Sequence, residues 1–364
     1  MRTTRGRPLA LTVVGARPQF VKVAPLSRAL RRHVQEVLVH TGQHYDHEMS
    51  QTFFEQLGIP APDRHLGIGS GPHGRMTGRM LEALEAAMLE IRPDLVIVLG
   101  DTNSTLAGAL AAAKLGIPVA HVEAGLRSFD PRMPEEVNRR LTDHVSRLLF
   151  CPTLTAVRNL RAEGIRRGVH RVGDVMMDGV LQNLGRARRL FSSAPRPAPG
   201  TYYVATIHRQ ENVDEPERLV ALLGALERLP HPTILPVHPR TRERIKRAGL
   251  EPGGALRLVP PQGYLEMLLL QRGARAVFTD SGGIQKEAFI LGTPCVTLRD
   301  TTEWVETLRG GANRLVGADP KRILAAARDI ERRRPRPRAG TLYGRGRAAE
   351  AIARLVARFL GAQP

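Results

Sequence analysis

The chain has 364 residues, 42% of them hydrophobic, with two cysteines and a formal net charge of +19. That length accommodates two domains of ordinary size. No apolar run approaches the roughly 18 residues needed to cross a bilayer, and two cysteines cannot build a disulfide framework. The excess charge is almost wholly arginine, with lysine only at Lys22, Lys114, Lys246, Lys286 and Lys321, and aromatic residues make up 4%. Stacking platforms for nucleic acid are therefore scarce. The expectation is a solvated basic surface that suits a small anionic ligand, with neither nucleic acid nor membrane as partner.

The first apolar, β-branched run is Leu9–Gly15. Basic residues precede it, but it carries no small-residue cleavage site and Gly15-Ala16-Arg17-Pro18 ends it early, so it reads as a strand rather than a signal peptide and a cytoplasmic protein is expected. Similar runs follow at Val34–Thr41, Asp94–Gly100, Pro118–Glu123, Leu148–Pro152 and Arg171–Gly173. Between them lie helical patterns such as Arg75–Ile91, where Met76, Met80, Leu84 and Met88 recur at spacing four as core packing. Proline and small residues in Ser192–Gly200 break the series. A second series then runs through Thr201–Ile207, Thr233–Val237, Leu256–Val259, Ala274–Thr279, Pro294–Leu298 and Asn313–Val316. After the basic stretch Arg332–Arg338 comes an amphipathic helix, Ala348–Leu360. The alternation predicts two doubly wound, Rossmann-like parallel-sheet α/β domains, 1–185 and 186–345, with the terminal segment 346–364 returning to the first. Cys151 and Cys295 sit in strand contexts and read as buried thiols.

Open parallel sheets bind ligands outside the carboxyl ends of their strands, and polar clusters follow these strands repeatedly. After the first come Arg17 and Lys22, cations suited to a diphosphate or carboxylate. After Asp94–Gly100 comes Asp101 with T-N-S-T. After Pro118–Glu123 come Glu123 and Arg127, then Glu135, Glu136, Asn138 and Arg139 at a helix start. A carboxylate such as Glu123 at the end of a buried strand needs a partner or a task; Glu136 reads as a helix-dipole complement. In the second series His208 and Arg209 follow one strand, and His238 and Arg240 the next. Thr279-Asp280-Ser281-Gly282-Gly283 joins a strand to a helix, with free N–H groups and a partial positive charge that suit phosphate; Glu287, one turn on, is placed to accept from sugar hydroxyls. His44, Asp46, His47 and Glu48 lack the sustained helix of a zincin site, so no metal is expected. The absence of a Walker loop and of G-x-G-x-x-G leaves ATP and nicotinamide chemistry unsupported, and no cofactor is expected.

The stretches G-A-R-P-Q-F-V-K, T-G-Q-H, G-D-T-N-S-T, H-V-E-A-G-L-R, P-E-E-V-N-R, T-I-H-R-Q-E-N, P-V-H-P-R, T-D-S-G-G-I-Q-K-E-A and R-D-T-T-E occur in this order. With them the chain resembles the non-hydrolysing UDP-N-acetylglucosamine 2-epimerases. The resemblance implies a glycosyltransferase-B-like fold with an active-site cleft between two domains, and C2 inversion through elimination of UDP and its re-addition. It implies Asp101, Glu123 and Glu135 as acid/base and charge-stabilising carboxylates. Arg17, Lys22, His208, Ser281, Gly282 and Gly283 would hold the diphosphate region, Glu287 the ribose and Gln262 the uracil. Gln43 and His44 match the T-G-Q-H segment near which a second, regulatory UDP-GlcNAc binds in some bacterial members, and His238 is grouped with them as a candidate for that regulatory site. A homodimer serving cell-surface polysaccharide synthesis is implied as well. Gln19 and Trp304 depart from the commoner Glu and Arg, which points to modified substrates such as diacetamido-uronic acid nucleotides. The competing readings are a hydrolysing epimerase, a glycosyltransferase of the same architecture, and a binding protein without catalysis.

Overall fold

A computed structural model describes residues 7–43, 57–194, 196–335, 337 and 339–361, with the backbone alone described at Arg17, Arg309 and Thr341. The chain divides into two compact units, one made of Met1–Leu181 with Tyr343–Pro364 and the other of Gln182–Leu342. No helix among the described residues is long and apolar enough to cross a membrane.

The first unit is built on strands β1 (Leu9–Val14), β2 (Gln35–His40), β3 (Arg64–His65), β4 (Leu95–Leu99), β5 (Val119–Val122), β6 (Leu148–Cys151) and β7 (Val169–Arg171). They pair in the order β3-β2-β1-β4-β5-β6-β7, every pair parallel. Helices cover both faces, so the central strands need no polar side. Leu95–Leu99, L-V-I-V-L, is buried along its whole length. The helix His73–Ile91 buries Met76, Met80, Leu84 and Met88, the predicted stripe. The helix Asn103–Lys114 comes close enough to the sheet that a Cβ on Gly108 would sit 3.2 Å from Val13 and Val98.

The terminal helix Ala348–Phe359 packs on the helix Arg17–Leu30. Asp178, in the helix Val175–Leu190, accepts from the Ala348 and Ala349 N–H groups at 3.2 and 3.0 Å and so caps it from outside. Strand β7 ends at Arg171, two residues before the predicted end. The chain leaves the sheet at Gly173, which adopts φ 88°, and the Asp174 N–H donates to Tyr343 O at 2.9 Å. The two-residue β3 and the 3-10 turn Val305–Gly311 have no sequence counterpart in the predicted series.

The second unit repeats the plan with β8 (Tyr203–Thr206), β9 (Thr233–Pro236), β10 (Leu256–Val259), β11 (Val277–Thr279), β12 (Cys295–Thr297) and β13 (Asn313–Leu315). Their order is β10-β9-β8-β11-β12-β13, again all parallel. Tyr203, Phe278, Val296, Leu222 and Ile323 lie within its main apolar core. Both thiols are buried, and burial pushes Cys151 and Cys295 up to about 12.

In each sheet the strand order reverses once, between β1 and β4 in the first and between β8 and β11 in the second. Crossovers diverge to opposite faces at such a point and leave a crevice beyond the strand ends. The sequence clusters that follow β1 and β4, and β8 and β11, therefore flank the reversal in their own sheet.

Candidate active site

At the reversal in the first unit, β1 passes through Gly15 into the helix Arg17–Leu30. A Cβ on Gly15 would collide with Thr41 Oγ1 and Ser104 Oγ, so only glycine fits. Gln19 locks the turn. Its Oε1 accepts from the Gly15 and Ala16 N–H groups at 2.7 and 3.0 Å, and its Nε2 donates to Leu99 O at 2.8 Å and Thr105 Oγ1 at 3.1 Å. The end of β1 is thereby tied to the end of β4. A glutamate here could not donate to Leu99 O in its ionised form, which gives the departure at Gln19 a physical role.

One turn later Lys22 reaches Glu123 and forms an ion pair, both side chains nearly buried. Glu123 follows β5 with φ 77°, a left-handed backbone rarely adopted by a residue with a Cβ. Such strain of about 1–3 kcal/mol persists where surrounding contacts impose it, typically at functional sites. Gly100, at φ 68°, turns the chain beside this pair in a backbone conformation that favours glycine; a Cβ there would lie in ordinary contact, 3.4 Å from Lys22 Nζ and 3.5 Å from Glu123 Oε2.

The neighbouring Asp101 is half-buried. Its Oδ2 accepts from Arg139 Nε at 3.0 Å and Nη2 at 2.7 Å, while Arg139 Nη1 donates to Glu136 at 2.9 Å. Glu136 also receives the Ser128 N–H and hydroxyl at 2.8 and 2.9 Å. It therefore fixes Arg139 and the 128–129 loop as well as facing the helix N-terminus. Asn138 donates to Asp101 O at 2.9 Å. The helix start Pro134–Arg139 thus faces Asp101, and the half-buried Glu135 occupies its first turn.

A buried network beneath holds this edge. The His121 ring meets Gly100 O at 2.8 Å and Asp143 at 2.7 Å, and Arg127 joins Asp143 to Glu163 at 2.7 and 2.6 Å. Burial opposes the charge on Asp143, yet His121 and Arg127 together hold its carboxyl below the usual range. Gln43 accepts from the Ser104 N–H at 3.1 Å and hydroxyl at 2.7 Å, which joins the segment after β2 to the helix start Asn103–Thr105. His44, Asp46, His47 and Glu48 lie outside the described residues, as does the Arg17 side chain. Among the described residues no group of three or more His, Cys, Asp or Glu is arranged to hold a metal.

At the reversal in the second unit, β8 leads to His208 and β11 to Asp280. His208 is half-exposed and its Nδ1 lies 3.0 Å from Asp280 Oδ1. Ser281 caps the helix Gly282–Leu291 by accepting from the Ile284 N–H at 3.4 Å, so Gly282 and Gly283 form its first turn. A Cβ on Gly282 would collide with Glu303 and lie 3.5 Å from Trp304 Nε1. Trp304 is 6% exposed and lies across the buried Lys286, whose ammonium sits 3.8 Å from the ring centroid. Glu287 is buried and accepts from Gln271 Nε2 at 2.8 Å. Burial pushes its carboxyl up to about 7, with Gln271 and Lys286 pulling the other way. Gln262 is exposed and folds onto Pro260 O at 2.9 Å. His238 caps the helix Pro239–Arg247, its Nδ1 accepting from the Arg240 N–H at 3.3 Å. The residues read from sequence thus gather in two groups, one per sheet. What that reading missed is Asp280 as the partner of His208, Arg139 as the clamp on Asp101, and Gly100 as the left-handed turn beside the Lys22–Glu123 pair.

Comparison with known proteins decides the kinship. The family model described as UDP-N-acetylglucosamine 2-epimerase matches residues 28–357. The chain belongs to the UDP-N-acetylglucosamine 2-epimerase family. Among its relatives, the UDP-2,3-diacetamido-2,3-dideoxy-D-glucuronate 2-epimerase of Pseudomonas aeruginosa is 50% identical over 96% of this chain and 99% of its own. The UDP-N-acetylglucosamine 2-epimerase of Methanocaldococcus jannaschii is 43% identical over 94% of this chain and 97% of its own. A crystal structure of the M. jannaschii epimerase in complex with UDP-GlcNAc and UDP matches with a TM-score of 0.87 at 42% identity, covering 96% of this chain and 99% of that one. The Neisseria meningitidis epimerase bound to UDP-GlcNAc matches with a TM-score of 0.85 at 29% identity, covering 96% and 100%. The paired parallel-sheet domains are those expected of a glycosyltransferase-B-like epimerase.

Proposed function

We propose that this chain interconverts the C2 epimers of a UDP-linked 2-acetamido sugar without net hydrolysis. The C2 hydrogen is not acidified by a carbonyl, so loss of the anomeric oxygen must assist its removal. UDP departs with the C1–O electron pair while a carboxylate takes the C2 proton, which leaves 2-acetamidoglucal and UDP. UDP then adds back as a proton reaches the other face of C2. The observation that carries this reading is the buried Lys22–Glu123 pair, set on a left-handed backbone at the sheet reversal. Asp101, Glu123 and Glu135 are the acid/base and charge-stabilising groups in this scheme. Arg17, Lys22, His208, Ser281, Gly282 and Gly283 stabilise the departing diphosphate, Glu287 takes the ribose and Gln262 the uracil. Gln43, His44 and His238 are assigned in the same scheme to the binding of a second, regulatory UDP-sugar. The same reading takes the protein as a cytoplasmic homodimer supplying cell-surface polysaccharide synthesis.

UDP-N-acetylglucosamine is the first substrate to test. A UDP-2,3-diacetamido uronate is the second, favoured by Trp304 over Lys286 and by the 50% identity to the Pseudomonas epimerase of that sugar. Incubation with each in deuterated water should place deuterium at C2 and yield the epimer. Glu123→Gln should slow turnover by about 100-fold or more while keeping UDP affinity. Absence of exchange with both sugars rejects the reading, and free sugar as the main product replaces it with the hydrolysing one.

A further inference from the structure

Asp280 ends β11 fully buried, yet it is surrounded by donors. Its Oδ2 accepts from the His208 N–H at 3.0 Å, the Arg209 N–H at 3.0 Å and Asn212 Nδ2 at 3.1 Å. The orientation of the Asn212 amide is fixed independently. Its oxygen accepts from Arg218 at 3.2 and 3.3 Å, and its nitrogen also donates to Leu298 O at 3.0 Å. Oδ2 is therefore held as a saturated acceptor. Oδ1 turns to the ring of His208, 3.0 Å from Nδ1, and receives the His208 N–H at 3.2 Å besides. An ionised carboxylate only accepts, so the ring nitrogen opposite must carry a hydrogen. The His208 side chain as a whole is half-exposed.

We propose that Asp280 is a positioning residue that fixes His208 in the Nδ1–H tautomer and makes Nε2 the working nitrogen. In the neutral ring Nε2 keeps its lone pair and can take up a proton. Once protonated it offers an N–H donor to an anionic oxygen, and the carboxylate behind stabilises the resulting cation. Asp280 itself touches no substrate. The kinetic part of this inference rests on the proposed epimerase reaction; the tautomer does not.

Asp280→Asn separates the two. Three donors face the Oδ2 position, so the amide oxygen must take that place and the NH2 group must face the ring. An NH2 group only donates, so Nδ1 must then accept and the ring hydrogen moves to Nε2. Loss of the correct tautomer in this way is costly for catalytic histidines. The measurement is long-range 1H–15N spectroscopy on protein with 15N-labelled histidine, the His208 signals being assigned with His208→Gln. The expected result is an Nδ1–H neutral ring in the native chain and an Nε2–H ring in Asp280→Asn. In parallel, kcat should fall by about 100-fold or more with KM little changed. An Nε2–H ring in the native chain overturns the proposal, and so does a tautomer or a kcat unchanged by Asp280→Asn. An Nδ1–H ring in a native chain that turns over no UDP-2-acetamido sugar rejects the epimerase function instead, and leaves the assignment of the ring standing.

Discussion

Replacing Glu287 by glutamine should make the protein more stable at pH 8 and worse at holding UDP. Glu287 is 7% exposed, and burial moves its carboxyl from 4.5 to about 7. Between those values the folded chain holds a proton that the unfolded chain has lost. Stability must then fall as pH rises through this window, with the whole loss present above pH 7. A difference of about 2.5 units at 1.36 kcal/mol each gives about 3 kcal/mol. Glutamine mimics the protonated acid and can still accept from Gln271, so it escapes the loss. Melts at pH 8 should place Glu287→Gln above the native chain by about 6–12 °C, a figure that follows from about 2–4 °C per kcal/mol for a domain of this size. Near pH 5 the two should almost coincide. Calorimetry with UDP should show affinity reduced by about 10- to 100-fold, because a charge-assisted hydrogen bond to the ribose is worth about 1.5–3 kcal/mol. A gap in melting temperature that is equal at both pH values, or a variant less stable at pH 8, would refute the reasoning.

Arg139→Ala removes a buried guanidinium that serves Asp101 and Glu136 together. Breaking a buried pair costs about 3–5 kcal/mol, and the partial exposure of Asp101 and the remaining donors to Glu136 place the expectation nearer about 2–3 kcal/mol. Turnover should fall with it, and Arg139→Lys should not restore it, because an ammonium cannot reproduce the planar fork; unchanged melting and turnover would remove Arg139 from the site. Gln19→Glu sets a carboxylate against Leu99 O and should destabilise the protein by about 1–3 kcal/mol at neutral pH. That loss should shrink on acidification, when the new carboxyl can donate, and a pH-independent effect in melts would count against the bond to Leu99.

The strands and most helices were legible because their signals are local. Leu95–Leu99 could be little but a covered strand, and the methionine stripe of His73–Ile91 carried its own period. The two sheet reversals were not legible, since strand order depends on which distant segments pair. The same holds for the site. Lys22, Asp101, Glu123, His208 and Ser281 stood out as polar residues just past apolar runs. Their pairings did not, because Arg139 lies 38 residues from Asp101 and Asp280 lies 72 from His208. Asp280 left one trace, as an acid at the end of an apolar strand, the same reasoning that singled out Glu123. Glu136, read as a helix-dipole complement, does face a helix N-terminus, but its hydrogen bonds to Ser128 and Arg139 give it a second duty that helix position alone could not reveal.

The first unit is discontinuous, since its closing helix Ala348–Phe359 is encoded after the whole of the second. During synthesis the ribosome must therefore deliver Gln182–Leu342 before the Arg17–Leu30 helix can receive its cover, and until then the apolar side of that helix stays wet. The first lobe has its seven strands in hand earlier, but the second lobe is complete before the first receives its last helix and can mature ahead of it. Ribosome-bound chains arrested short of Ala348 should accordingly carry a protease-resistant second lobe behind a first lobe still open to cleavage.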